Sequence, residues 1–136
     1  MIVIDASLLL GRLLGESVSL TAVANATAAA PGAPLQAPEL IELELLQALR
    51  RLVRIGAVSE DRAVDALTDL EETRLERHGH RDLRAGIWEL RNRLTAYDAA
   101  YVVLAQHLGA DVLLTRDSGM AGVARDALGT ARVTHI

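Results

Sequence analysis

A chain of 136 residues is one domain's worth of sequence, long enough to bury a core without disulfide or metal staples. With no Cys there is no disulfide framework, thiolate metal site or cysteine nucleophile. With 51% hydrophobic residues but only 2% aromatics, the core must be built from Leu, Val, Ile and Ala. All 14 basic residues are Arg, set against 18 acids for a net charge of −4; this balance argues against an ordinary nucleic-acid binder, although Arg grips phosphates well.

The opening Met1-Ile2-Val3-Ile4-Asp5 does not read as a signal peptide. No stretch approaches the roughly 18 apolar residues of a membrane span, so the expectation is a soluble, cytoplasmic protein with no membrane contact. Met1 to Ile4 predicts a strand buried on both faces. Ala6 to Leu14 predicts a helix capped by Ser7 and stopped at Gly15. Val18 to Ala30 predicts a second helix, broken by Pro31-Gly32. A brief strand fits Leu35 to Ala37. Pro38 then suits a first helical position and Glu39 the positive end of the helix dipole. That helix runs to about Ile55 on a stripe of Ile41, Leu45, Ala48, Leu49 and Leu52. Ser59 caps a helix over Glu60 to Leu70, and Thr73 to Arg77 fits a strand.

Asp82 to Leu94 carries Leu83, Ile87, Leu90 and Leu94 at helical spacing, with Trp88 beside them. Thr95 suits the N-cap of a helix that reaches Leu108-Gly109 and is apolar on every side, hence buried. Val112 to Thr115 is a second fully apolar strand. Arg116-Asp117-Ser118 turns it into a helix over Gly119 to Leu128, and Arg132 to Ile136 closes as a strand. Alternating helices with strands apolar on both faces predicts one α/β domain over residues 1–136, three layers deep around a mostly parallel sheet.

In such sheets ligands bind beyond the carboxyl ends of the strands. Asp5 ends the first strand and Asp117 follows the Val112 strand; a solvated turn acid is the ordinary alternative for both. Asp98 falls at the third position of its helix, as an ordinary capping-box acid would, with Tyr101, Val102 and Ala105 three, four and seven residues on. Glu42 and Glu44 each lie about 80° from the centre of the core stripe, on opposite flanks, so spacing does not choose between them. If Asp5, one glutamate, Asp98 and Asp117 converge, they need a cation among them. Their hard oxygens favour Mg²⁺ or Mn²⁺, and the natural chemistry is phosphodiester hydrolysis.

Four blocks carry a resemblance. Met1-Ile2-Val3-Ile4-Asp5-Ala6-Ser7-Leu8-Leu9 resembles the opening of PIN-domain proteins of the VapC toxin family. Glu42 to Arg51 is similar to that family's glutamate helix, and Leu94 to Tyr101 and Leu114 to Asp117 to its last two acidic motifs. The resemblance implies a Mg²⁺-dependent endoribonuclease, the toxin of a type II toxin–antitoxin pair, dimeric and blocked by a VapB-like antitoxin. Position by position it makes Asp5, Glu44, Asp98 and Asp117 the catalytic and metal-holding acids, and it selects Glu44 over Glu42. Thr115 matches a hydroxyl position that orients the site, and Ser7 lies beside Asp5 as a further hydroxyl. Gln47 departs mildly from the Asn that relatives often carry. Outside the quartet, the remaining 14 acids balance the 14 Arg.

Arg12, Arg50, Arg51, Arg91, Arg93 and Arg116 are candidate phosphate contacts, with Arg116 and Arg91 singled out for RNA. Arg77-His78-Gly79-His80-Arg81 reads as a polar connector, and Trp88 as a core or dimer contact. Two other functions compete. A phosphoacceptor domain would need a Lys beside its acids, and the chain has none. A PIN-like module that binds RNA or antitoxin without turnover would be separated by a metal-dependent cleavage assay.

Overall fold

The computed structural model describes all 136 residues as an all-parallel five-stranded sheet and seven α-helices. In chain order the elements are β1 (Ile2–Ile4), α1 (Ala6–Leu13), α2 (Ser17–Thr27), β2 (Leu35–Pro38), α3 (Ile41–Arg54), α4 (Glu60–Glu72) and β3 (Leu75–His78). A 3₁₀ turn, Arg81–Leu83, then leads into α5 (Arg84–Glu89), α6 (Ala96–Leu108), β4 (Val112–Thr115), α7 (Ser118–Leu128) and β5 (Val133–His135). No single helix is long and apolar enough to cross a membrane.

The strands lie in the order β3-β2-β1-β4-β5. From β1 the chain steps outward through β2 to β3, then crosses back to β4 on the other side of β1. The order therefore reverses between β1 and β4, whose register pairs Ile4 with Leu114. The carboxyl ends of those two strands are where such a sheet opens a ligand crevice. Val3, Ile4, Leu113 and Leu114 are fully buried, as the apolar runs predict.

Helices α1 to α4 pack among themselves as one layer, α5 to α7 as another, with the sheet between: the expected three-layer α/β/α architecture. The centrepiece is α6, in which Ala99 to Ala105 are buried without interruption. Cutting Leu104 back to Ala would cost about 2–5 kcal/mol by the usual core-cavity rule. Thr95 is the N-cap of α6 as expected. Gly109, at φ +59°, closes the helix in the left-handed conformation that glycine adopts freely. At Gly11 a side chain would collide with Ser19 and Glu16, so glycine there lets α1 and α2 cross closely.

Several expected boundaries change. Asp5, not Ser7, caps α1: its backbone is extended (φ −84°, ψ 165°) and its carboxylate accepts the Leu8 N–H, leaving Ser7 inside the helix. Pro38 ends β2, paired with His78, and α3 starts at Ile41; a fixed proline φ suits a strand end as well as a helix start. The second helix ends at Thr27, α4 continues to Glu72, and the third strand runs Leu75–His78 rather than Thr73 to Arg77. His78 is thus a strand residue, its Nε2 2.6 Å from the Oε1 of buried Gln36, not part of a connector. The long helix expected over Asp82 to Leu94 is a 3₁₀ turn plus the six-residue α5, followed by a turn. Trp88 is 67% exposed and lies outside the core.

Candidate active site

Four acids gather where the strand order reverses, and each stands at a helix N-terminus. Asp5 caps α1, and Asp117 caps α7 by accepting the Met120 N–H at 2.6 Å. Glu44 lies in the first turn of α3. Asp98 lies in the first turn of α6, behind a Thr95 hydroxyl that accepts the Asp98 N–H at 3.2 Å. The positive ends of four helix dipoles thus face the carboxylates; each favours a nearby negative charge by about 0.3–1 kcal/mol at an exposed position.

Asp5 is the most enclosed, at 3% exposure. Its Oδ1 accepts the Leu8 N–H at 2.8 Å, and its Oδ2 accepts the hydroxyl of fully buried Thr115 at 2.6 Å. The Ser7 hydroxyl lies 2.9 Å from both oxygens. Thr115 in turn accepts the Asp117 N–H at 2.9 Å, so one hydroxyl ties the end of β1 to the start of α7. Thr115 and Ser7 are thus the two side-chain hydroxyls on the Asp5 carboxylate.

Opposite, the Tyr101 hydroxyl donates to Glu44 Oε1 at 3.0 Å. Burial lifts the Tyr101 pKa far above its ordinary value, with the Glu44 charge adding to it, so this phenol stays protonated and remains a donor. Glu42, the other candidate on α3, turns aside to an ion pair with Arg77. The structure thus separates two glutamates that spacing could not.

The carboxylates feel one another. Burial raises the Asp5 pKa against the lowering pull of the Thr115, Leu8 and Ser7 hydrogen bonds. Glu44 is raised chiefly by burial, opposed by the Tyr101 bond, and further by the charges of Asp98 and Asp5. Asp98 is raised by burial first, then by Asp117 and, more weakly, Asp5, with the Thr95 hydroxyl opposing. As the side chains stand, no three carboxylate or imidazole groups close on a single point. The donor chemistry still fits a hard divalent cation. All four groups offer oxygen, and at three of them burial and, for Glu44 and Asp98, like charge disfavour the ionised form, which a bound cation would relieve.

Leu43, Glu44, Gln47, Arg51, Tyr97 and Asp98 border an open hollow of about 550 Å³. Arg51 is therefore the candidate phosphate contact that lies in the same hollow as Glu44 and Asp98. Arg116 is engaged by Glu16, and Arg91 stacks over Trp88. A larger hollow of about 650 Å³, bordered by Val18, Asn25, Val112 and Thr134, has no titratable side chain on its walls. From the sequence Tyr101 read only as part of an apolar wall. Its position three residues after Asp98, on the same helix face, was the available signal.

Residues 2–126 match the PIN domain family. The chain is 37% identical over 120 residues to Ribonuclease VapC3 of Mycobacterium tuberculosis, a match covering 88% of this chain and 85% of that protein. Ribonuclease VapC9 of the same organism is 38% identical over 120 residues, 86% of each chain, and VapC ribonuclease Mb0985 of Mycobacterium bovis matches to the same extent. The chain belongs to the VapC family of PIN-domain ribonucleases.

Proposed function

We propose that the chain, as one PIN-like unit, is a metal-dependent endoribonuclease and the toxin of a type II toxin–antitoxin pair. Asp5, Glu44, Asp98 and Asp117 would hold Mg²⁺ or Mn²⁺. The observation that carries this reading is the gathering of Glu44, Asp98 and Asp117 around the buried, hydroxyl-held Asp5 at the reversal of strand order, close enough that like charge raises both Glu44 and Asp98. When bound, such an ion supplies a water of lowered pKa and neutralises charge on a phosphoryl oxygen.

The chain's own residues do the positioning. Thr115 and Ser7 fix the Asp5 carboxylate, and Tyr101 holds Glu44. Buried α6 keeps Asp98 in place at its N-terminus, and the α7 cap does the same for Asp117. Arg51, which borders the hollow of Glu44 and Asp98, would meet RNA phosphates, and Arg116 would join it on leaving Glu16. Leu43, 72% exposed beside Glu44, and Leu46 offer an apolar face next to the acids, which suits a VapB-like antitoxin; homodimerisation accompanies this reading.

Purified protein incubated with total cellular RNA should cut it in Mg²⁺ or Mn²⁺, stop under excess chelator and resume when metal is restored. Cleavage indifferent to chelator would overturn the metal assignment, and no cleavage with either ion would overturn the enzyme.

A further inference from the structure

Beside the acids lies a second hollow, of about 510 Å³, with different chemistry. It is formed by α5, the turn that follows and the first turn of α6. Its floor is apolar, while Trp88 and Tyr97 on its walls each remain 67% exposed. No acid borders it, whereas His80, Arg84 and Arg91 do. In a chain of net charge −4, the two guanidinium groups on these walls face no carboxylate, the exposed Asp82 and Glu89 of the same segment lying outside the hollow, while the adjoining hollow holds Glu44 and Asp98.

The two hollows adjoin, because Thr95 and Tyr97 border both this one and the one that holds Glu44, Arg51 and Asp98. The cationic wall is also ordered. Arg91 Nη1 donates to the Trp88 carbonyl at 2.9 Å, and its guanidinium carbon lies 4.6 Å from the centre of the indole. A large ring left in water with Arg stacked on it contributes little to packing. It is the combination by which single-stranded nucleic acids are held: bases stack on the ring and phosphates meet the Arg. The two guanidinium groups, the lack of an acid on its walls and its place beside the hollow of Glu44 and Asp98 favour a polyanionic chain over a protein segment.

We propose that this hollow is an RNA subsite, where a nucleotide flanking the scissile phosphate stacks its base on Trp88, Arg84 and Arg91 take the adjoining phosphates, and Tyr97 leads the strand to Asp98. The inference rests on the ribonuclease reading and adds a preference to it: the target must be single-stranded there, since a paired and stacked base has no free face to offer.

Trp88 is the only tryptophan, so its emission reports stacking directly. Titrating the Asp98→Ala protein with a mixed-sequence single-stranded RNA oligonucleotide should quench that emission, and the same sequence as a duplex should not. In that background Trp88→Ala should raise Kd by about fivefold or more, with Trp88→Phe restoring most of the affinity. Arg84→Ala should weaken binding and flatten its salt dependence. In the active protein Trp88→Ala should raise KM and leave kcat near its parent value. Emission that ignores saturating RNA, or a Trp88→Ala protein that binds RNA as tightly as its parent, overturns the subsite. So does a second copy or a protein partner that covers Trp88 while RNA leaves it untouched. A protein that binds and quenches yet cuts nothing sinks the ribonuclease reading while supporting this surface as an RNA contact.

Discussion

The two sides of the acidic mouth are built on opposite plans. On one side Asp5 is almost wholly buried, caps α1, and is held by Leu8, Ser7 and Thr115. On the other, Glu44 and Asp98 are only partly buried; Glu44 takes one bond from Tyr101, and Asp98 depends on the helix behind it. The first side joins structure and site in one residue, because the end of β1 and the start of α1 meet there. The second side keeps the two roles apart, and its residues can be changed without taking the fold with them.

The sharpest way to break that contrast is to truncate one acid from each side. Asp98→Ala and Asp5→Ala should each lower RNA cleavage by at least about a hundredfold. Their stabilities should diverge. Asp5→Ala loses a helix cap, about 0.5–2 kcal/mol, and leaves the Thr115 hydroxyl with no acceptor in the interior, about 1–3 kcal/mol more. Relief of a charge that burial disfavours returns part of this, so denaturant melts should show a net loss of about 1–3 kcal/mol. Asp98→Ala should stay within about 1 kcal/mol of the parent. Equal melts for the two variants would erase the distinction.

Asp5→Asn sharpens it. The amide keeps an oxygen for the Leu8 N–H, and the Thr115 and Ser7 hydroxyls can accept from the new NH₂ group, which leaves the Thr115 O–H as the one donor without its acceptor. Cleavage should be lost while the metal-free melting temperature at about pH 7 stays close to that of the parent, since removal of an unfavourable buried charge offsets the lost Thr115 acceptor. A large fall in melting temperature would mean the charge itself holds the fold.

Metal and pH probe the same balance. Asp5, Glu44 and Asp98 hold protons more tightly folded than unfolded. Metal-free protein should therefore lose stability as pH rises from the ordinary carboxylate values, 3.8 for Asp and 4.5 for Glu, through the raised folded values. Mg²⁺ should accordingly raise the melting temperature at about pH 7 and do little near about pH 4, where protons already occupy the carboxylates. A gain that is larger in acid would contradict the arrangement. The smallest effect belongs to Tyr101→Phe, which frees Glu44 without moving α6: about 0.5–1.5 kcal/mol of stability and a few-fold drop in cleavage.

Much of this is legible in the sequence. The runs Ile2–Ile4 and Val112–Thr115 could only be strands buried on both faces, and the acids after them had to emerge at the carboxyl edge. The seven buried residues of α6 follow from a stretch with no polar side. What misled was local ambiguity that only tertiary contacts resolve. Asp5 and Ser7 are both good caps, and the choice depends on where β1 stops. Pro38 fits either a helix start or a strand end, and pairing with His78 decides it. Leu83, Ile87, Leu90 and Leu94 suggested one long helix, yet α5 stops at Glu89, which leaves Trp88 facing water. Glu42 and Glu44 were equivalent on a helical wheel until Arg77 and Tyr101 claimed one each.

The central claim, that these carboxylates direct a water-mediated cut of an RNA phosphodiester, is tested most directly by the ends it leaves. RNA cut by the purified protein in Mg²⁺ should carry 5′-phosphates and 3′-hydroxyls, and both should vanish with Asp98→Ala. Ends bearing a 2′,3′-cyclic phosphate, or the same cuts made by Asp98→Ala, would contradict the account.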